Sequence, residues 1–286
     1  MSIMFSNINI MKVAENRKKL HVIDFGICYG FQWPVLIQLL SQRPEGPPAL
    51  RITGIELPQP GFRPAQSVEA TGHRLAKYCE RFGVPFEFIP IAQKWETVKL
   101  EDLKLEEDEV VAVNSLFRFK NLLDETVVAD SPRDAVLNLI RKIKPDIFVH
   151  AVANGSFNSP FFITRFREAL FHYSTLFDMF DTTASLPRED LERSMFEKEF
   201  LGREIMNVVA CEGTERVERH EIFKQWQVRS TKAGFRQLPL DPWIMERGRH
   251  KMKFFHKDYA LNVDRNWALM GWKGRVVFAL SAWVPS

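Results

Sequence analysis

Four residues near the front of the chain have the types and order of a cradle for a nucleoside-bearing cofactor. Asp24, Gly26 and Gly30 fall in Asp24-Phe25-Gly26-Ile27-Cys28-Tyr29-Gly30, and Glu56 closes the next apolar run. Glycines after a strand let backbone approach a ligand, and an acid at the tip of the second strand can hold ribose hydroxyls. Cys28 takes the place of the middle glycine, so its side chain crowds the loop, and Tyr29, Phe31 and Trp33 add bulk. The second kind of chemistry is basic. Arg63, Arg118, Lys120, Arg165 and Arg167 each follow an apolar run, where open α/β sheets bind their ligands. Glu246–Lys257 carries Arg247, Arg249, Lys251, Lys253 and Lys257 against the single acid Glu246, with His250, Phe254, Phe255 and His256 interleaved. Either set could bind phosphates or an acidic partner. Equally, the first set could form structural ion pairs with Glu56, Glu168 or Asp178, and the second could be a solvated helix or loop face.

These residues need a scaffold, and the chain reads as alternating strands and helices. Leu20–Phe25, Leu50–Glu56, Phe86–Ile91, Glu109–Asn114 and Asp146–Val152 are short apolar runs of the kind that fill a parallel sheet. Trp33–Leu40, Pro64–Phe82 and Pro132–Ile143 have helical periodicity between them. Phe161–Phe180 follows as a long helix, with Phe162, Phe166, Ala169, Tyr173, Leu176 and Phe180 on one stripe. The charged run Pro187–Gly202 is expected to be a peripheral helical element. Phe223–Ser230 reads as a helix and Phe235–Leu240 as a strand. Trp267–Met270 and Arg275–Trp283 flank the turn Gly271-Trp272-Lys273-Gly274 as a hairpin. The fold class expected is α/β, a doubly wound parallel sheet with an antiparallel C-terminal hairpin.

Composition narrows the function classes. The 286 residues hold 39 Lys and Arg against 36 Asp and Glu, a net charge of +3, which excludes a diffuse polycation and an acidic disordered tail. With 45% hydrophobic residues and 24 Phe, a core needs no disulfide or metal. Cys28, Cys79 and Cys211 are far apart and lack zinc spacing, as expected of reduced cysteines in an intracellular protein. Met1–Lys12 is too polar for a signal-peptide core, and no run approaches the ~20 apolar residues of a membrane span. Among seven histidines, His150 is the one assigned to a core strand, as a satisfied structural residue. Leu36-Ile37-Gln38-Leu39-Leu40 fits the LxxLL docking pattern, but on a helix that must bury one face core packing is favoured.

Asp24, Gly26, Gly30 and Glu56 together are similar to the S-adenosylmethionine loop of Rossmann-like class I methyltransferases. Asn114-Ser115-Leu116-Phe117 departs from the Asn-Pro-Pro-aromatic run of amino-group methyltransferases, so these four are read as vestigial. A more specific resemblance runs through the whole chain. His21-Val22-Ile23-Asp24-Phe25 followed by Gly30-Phe31-Gln32-Trp33-Pro34 resembles the VHIID signature of the GRAS family of plant transcription regulators. Pro160-Phe161-Phe162 and Arg165–Ser174 resemble its PFYRE region, and Gly202-Arg203-Glu204-Ile205 its Arg-Glu element. Arg216, Glu221 and Trp226 stand in the family's spacing, and Ser281-Ala282-Trp283 matches its SAW signature. The resemblance is closest to the SCARECROW-like branch.

It implies a single GRAS domain over residues 1–286 on a methyltransferase-type sheet with a reduced helical cap. Within it, 1–19 would be a remnant of the N-terminal cap, 20–160 the α/β core, 161–215 the PFYRE region and 216–286 the SAW region. The function implied is transcription regulation in the nucleus, without catalysis, cofactor or metal, through DNA, partner transcription factors or co-regulators. A homodimer is implied as well, although the leucine-rich region that contributes to dimer contacts is represented only by Met1–Lys19. Arg203 with Glu204 and Arg216 with Glu221 are expected to pair, and Trp226, Trp267, Trp272 and Trp283 to pack in the core and hairpin. The alternatives are a protein-binding co-regulator without DNA affinity and an active methyltransferase.

Overall fold

The computed structural model describes residues 1–184 and 190–286. Its centre is a sheet in the order β3-β2-β1-β4-β5-β9-β8-β7, with β6 paired to β9. The first five strands in this order are Phe86–Ala92 (β3), Ala49–Glu56 (β2), Lys19–Phe25 (β1), Val110–Leu116 (β4) and Ile147–Ala153 (β5). All four pairings among them are parallel. Arg275–Pro285 (β9) returns antiparallel beside β5, with Ser281 opposite His150. Trp267–Trp272 (β8) and Tyr259–Asp264 (β7) continue antiparallel to a free edge. This is the Rossmann-like, methyltransferase-type α/β sheet with antiparallel C-terminal strands.

Both faces are covered, which is why the central strands are apolar at nearly every position. Leu20, Val22, Ile52, Ala112 and Val149 face one buried cluster, which includes side chains of Ser2–Val13 (α1), Trp33–Ser41 (α2) and Gln66–Phe82 (α3). Ile23, Phe25, Ile55, Val113 and Phe148 face the other, with Pro132–Ile143 (α4) and Phe223–Lys232 (α8). Trp226, Trp267, Trp272 and Trp283 are all buried, as expected. A smaller cluster of Phe157, Ala169, Tyr173 and Val208 joins Phe162–Thr183 (α5) to Arg203–Ala210 (α7).

Several expectations are corrected. The hairpin turn is two residues, Lys273-Gly274, both with positive φ, so Gly271 and Trp272 belong to β8. The strand expected over Phe235–Leu240 is only Phe235–Gln237 (β6). On α5, Phe162 and Phe166 are exposed. The buried side is Arg165, Ala169, His172 and Tyr173, because Arg165 turns inward to bond backbone carbonyls. Of the helical element expected over Pro187–Gly202, residues 187–189 lie outside the described residues. The rest forms Leu191–Phe196 (α6) and a wider π turn, Glu197–Gly202, leading into α7. Glu246–Lys257, left open between helix and loop, lies mostly in a helix, Pro242–Phe255 (α9). The edge strand β7 went unforeseen. Leu36 and Leu40 of the LxxLL pattern are fully buried while Leu39 is 36% exposed, which is core packing.

Candidate functional site

The carboxyl ends of β1, β2 and β4 bring Asp24, Gly26, Gly30 and Glu56 together. Gly26 and Gly30 have φ of +87° and +69°, the left-handed backbone that glycine adopts without strain. Cys28 adopts φ +50° between them, and burial raises its thiol to about 11, so it is no nucleophile. The Glu56 carboxylate accepts from the backbone N–H groups of Cys28 and Leu57, each at 3.0 Å, and from Arg118 at 3.2 Å. Arg118 lies across the glycine loop: a Cβ on Gly26 would sit 2.5 Å from its Cγ. The acid that would hold a ribose is therefore bonded to the protein itself, and the space over the first glycine contains a side chain. These residues do not fit S-adenosylmethionine as arranged.

Asp24 points inward. Its carboxylate accepts from Trp33 Nε1–H at 2.9 Å and Asn114 Nδ2–H at 2.8 Å. Burial nevertheless raises its pKa to about 7, against those two bonds. Asn114 continues into a polar bridge that sequence reasoning missed. Ser6 Oγ–H donates to Asn114 Oδ1 at 2.7 Å, and Gln32 Nε2–H donates to Ser6 Oγ at 2.9 Å and Asn7 Oδ1 at 3.0 Å. Ser6 and Asn7 stand on the buried side of α1. In sequence they look like interruptions of an apolar run, yet they dock α1 against the end of the sheet.

The basic residues after the strands divide. Arg118 pairs with Glu56. Lys120 sits between Glu204 at 2.8 Å and Glu218 at 3.1 Å. Arg165 is fully buried, donating to the Val208 carbonyl at 2.9 Å and the Ser159 carbonyl at 3.2 Å and pairing with Glu212. Only Arg63 and Arg167 of the five are exposed and without an ion pair among the described residues. The expected basic groove therefore loses three of its five cations to internal bonds. Glu168 pairs instead with Arg275, and Asp178 with Lys273.

Internal pairing extends to the arginines and acids between residues 199 and 229, with partners that spacing did not indicate. Arg203 pairs with Glu199, while Glu204 takes Lys120 and His220. Arg216 bonds the carbonyls of Phe157 and Ser159; Glu221 pairs with Arg133 at 2.7 Å and Arg229 at 2.8 Å. The Arg133 guanidinium also lies 5.4 Å from the centre of the Trp226 ring. Glu204, Glu218 and His220 have donor atoms close enough to share a metal ion, but the Lys120 ammonium already lies on both carboxylates. His150 is buried among Phe119, Phe148, Trp226 and Trp267 without a hydrogen bond to either ring nitrogen. Burial lowers its pKa to about 3, so it is structural but neutral, and not satisfied as expected. His21 is a second core-strand histidine, bonded to Glu109 at 2.8 Å and Thr53 at 2.7 Å.

The second basic segment singled out in the sequence lies mostly on α9. Arg247, Arg249, Lys251 and Lys253 are exposed and have no ion pair among the described residues, as does Lys257 just beyond.

A model of the GRAS domain family matches residues 1–284. The chain belongs to the GRAS domain family. This GRAS chain is 61% identical over 287 residues to Scarecrow-like protein 14 of Arabidopsis thaliana, covering 100% of this chain and 37% of that relative. It is 61% identical over 288 residues to Scarecrow-like protein 33 of the same plant, covering 99% and 41%. It thus spans about two fifths of the length of these curated relatives. The crystal structure of SCL7 from Oryza sativa matches with a TM-score of 0.87 at 31% identity, covering 99% of this chain and 78% of that one. The residues that resemble the family's signatures have these positions: His21–Phe25 lies in β1, Pro160–Ser174 in α5 with the loop before it, Arg203-Glu204 at the start of α7, and Ser281–Trp283 near the end of β9.

Proposed function

We propose that this GRAS chain is a transcription regulator without catalytic activity, working in the nucleus by binding DNA, partner transcription factors or both through a basic surface. The observation that carries the reading is Arg118. It lies over Gly26 and bonds Glu56, so the cofactor-like loop is turned into internal structure. Of the basic residues singled out in the sequence, those left for a partner are mainly on α9, so the proposed surface lies there more than at the rim of the sheet. Homodimerisation belongs to the same proposal and is read by sedimentation equilibrium.

The test is fluorescence anisotropy of labelled duplex DNA at two salt concentrations. Direct contact predicts an affinity that falls steeply with salt, because each neutralised phosphate releases counterions. It also predicts loss of binding in Arg249→Glu/Lys251→Glu. A weak, salt-independent signal would remove DNA from the reading and leave partner proteins. An active methyltransferase would instead bind S-adenosylmethionine in calorimetry and lose that binding in Glu56→Gln.

A further inference from the structure

Helix α9 has one side on the molecule and the other wholly free. Ile244, Met245, Gly248 and Met252 are buried, and Gly248 is packed so closely that a Cβ there would lie 2.7 Å from Met1 Cε. The opposite side carries Trp243, Arg247, His250 and Phe254, spaced by four, three and four, which places them on one outward ridge. Arg249 and Lys253 flank the ridge on one side and Lys251 on the other. Trp243 is 51% exposed, Phe254 88% and Phe255 73%. The Arg247 guanidinium lies 5.1 Å from the centre of the Trp243 ring. Glu246 is the helix's only acid.

This combination selects among partners. Duplex phosphates would satisfy the cations but leave the two large aromatic side chains of the ridge, Trp243 and Phe254, against charge and water. A purely apolar partner would cover the aromatics but bury cations without counter-charges, which is costly. A segment with carboxylates on either side of an apolar stripe satisfies both at once. Aromatic anchors flanked by charges are also the usual centre of a binding hot spot. We propose that the outward ridge of α9 docks an acidic, amphipathic helical segment of a partner protein. Trp243 and Phe254 pack on its apolar stripe, and Arg249, Lys251 and Lys253 pair with its carboxylates. The proposal rests on the regulator reading and names the partner chemistry of its basic surface.

Trp243 supplies the readout, because the other six tryptophans are at most 2% exposed. Acrylamide, a neutral quencher, therefore reports mainly on this ridge. The probe is a synthetic acidic peptide with Leu and Phe at helical spacing. One control has the same charge with those residues changed to Ala; the other is duplex DNA. The amphipathic peptide should shield Trp243 from acrylamide and bind about tenfold more tightly than the Ala control, as loss of anchor contacts implies. Phe254→Ala and Lys253→Glu should each weaken it by a similar factor while the circular-dichroism melt stays unchanged, since both side chains are exposed. Equal binding of the two peptides, indifference to Phe254→Ala, or no peptide binding overturns the docking. If the peptide fails while DNA binds in a salt-dependent way and is indifferent to Phe254→Ala, the docking fails and the regulator reading stands. Saturable S-adenosylmethionine binding would bring down both.

Discussion

Asp24, which stands in a cofactor-like sequence pattern, is bonded inside the protein to Trp33 and Asn114. Its carboxyl is raised by burial from the ordinary 3.8 to about 7. A folded-state pKa above the unfolded one means that ionisation opposes folding. The contribution is full below 3.8 and is lost as pH rises towards 7. Asp24→Asn cannot ionise, so its stability relative to the parent should rise across that window, by up to ~4 kcal/mol. Urea unfolding at the two ends of the window checks this, and a difference that does not change with pH contradicts it. Ion pairs separate by burial in the same way. Arg133→Ala leaves the buried Glu221 with the partly exposed Arg229 as its remaining ion partner among the described residues and should cost about 3–5 kcal/mol in urea unfolding. Arg203→Ala removes an exposed pair one helical turn apart and should cost no more than ~0.5 kcal/mol. Residue types at the sheet rim were legible in the sequence, and Cys28 already argued against a working cofactor loop. Their partners were not. Lys120 meets Glu204, and Arg133 meets Glu221, across loops whose path no local pattern fixes.

At the level of elements, legibility followed burial. The five parallel strands are covered on both faces, so their apolar runs stood out. β7 is an edge strand with Asn262 and Val263 exposed, and its sequence lacks both a run and a clean alternation. The buried side of α9 is Ile244, Met245, Gly248 and Met252, too thin an apolar stripe among charges to distinguish helix from loop. α2 illustrates a motif whose chemistry the fold consumes. Leu36→Ala and Leu40→Ala should each cost about 2–5 kcal/mol, because both side chains are fully buried. Leu39→Ala, at a partly exposed position, should cost under ~1 kcal/mol. Thermal or urea unfolding of the three variants checks the order, and a larger loss at Leu39 would contradict it. A docking role for the pattern would require the leucines to be free, and two of the three are not.

Over the whole molecule, free chemistry lies away from the cofactor-like end of the sheet. Helix α5 exposes Phe162, Phe166 and Leu170 on one side, the two phenylalanine rings stacked at 5.7 Å. A row of exposed apolar side chains binds hydrophobic dyes and favours association. The chain should therefore enhance anilinonaphthalene sulfonate fluorescence, and Phe166→Ser/Leu170→Ser should reduce it without lowering the melting temperature. An unchanged signal would contradict that face being open. The small net charge of +3 conceals an uneven distribution, in which Arg133, Arg165 and Arg219 are buried with acidic partners while Arg247, Arg249, Lys251 and Lys253 are exposed on α9. The central claim is that the methyltransferase-type sheet serves as a scaffold, with its cofactor cleft closed by Arg118 and Glu56. Calorimetric titration with S-adenosylmethionine at millimolar concentration tests it most directly. A closed cleft gives only heat of dilution; a saturable isotherm that disappears in Glu56→Gln would show it open to the cofactor.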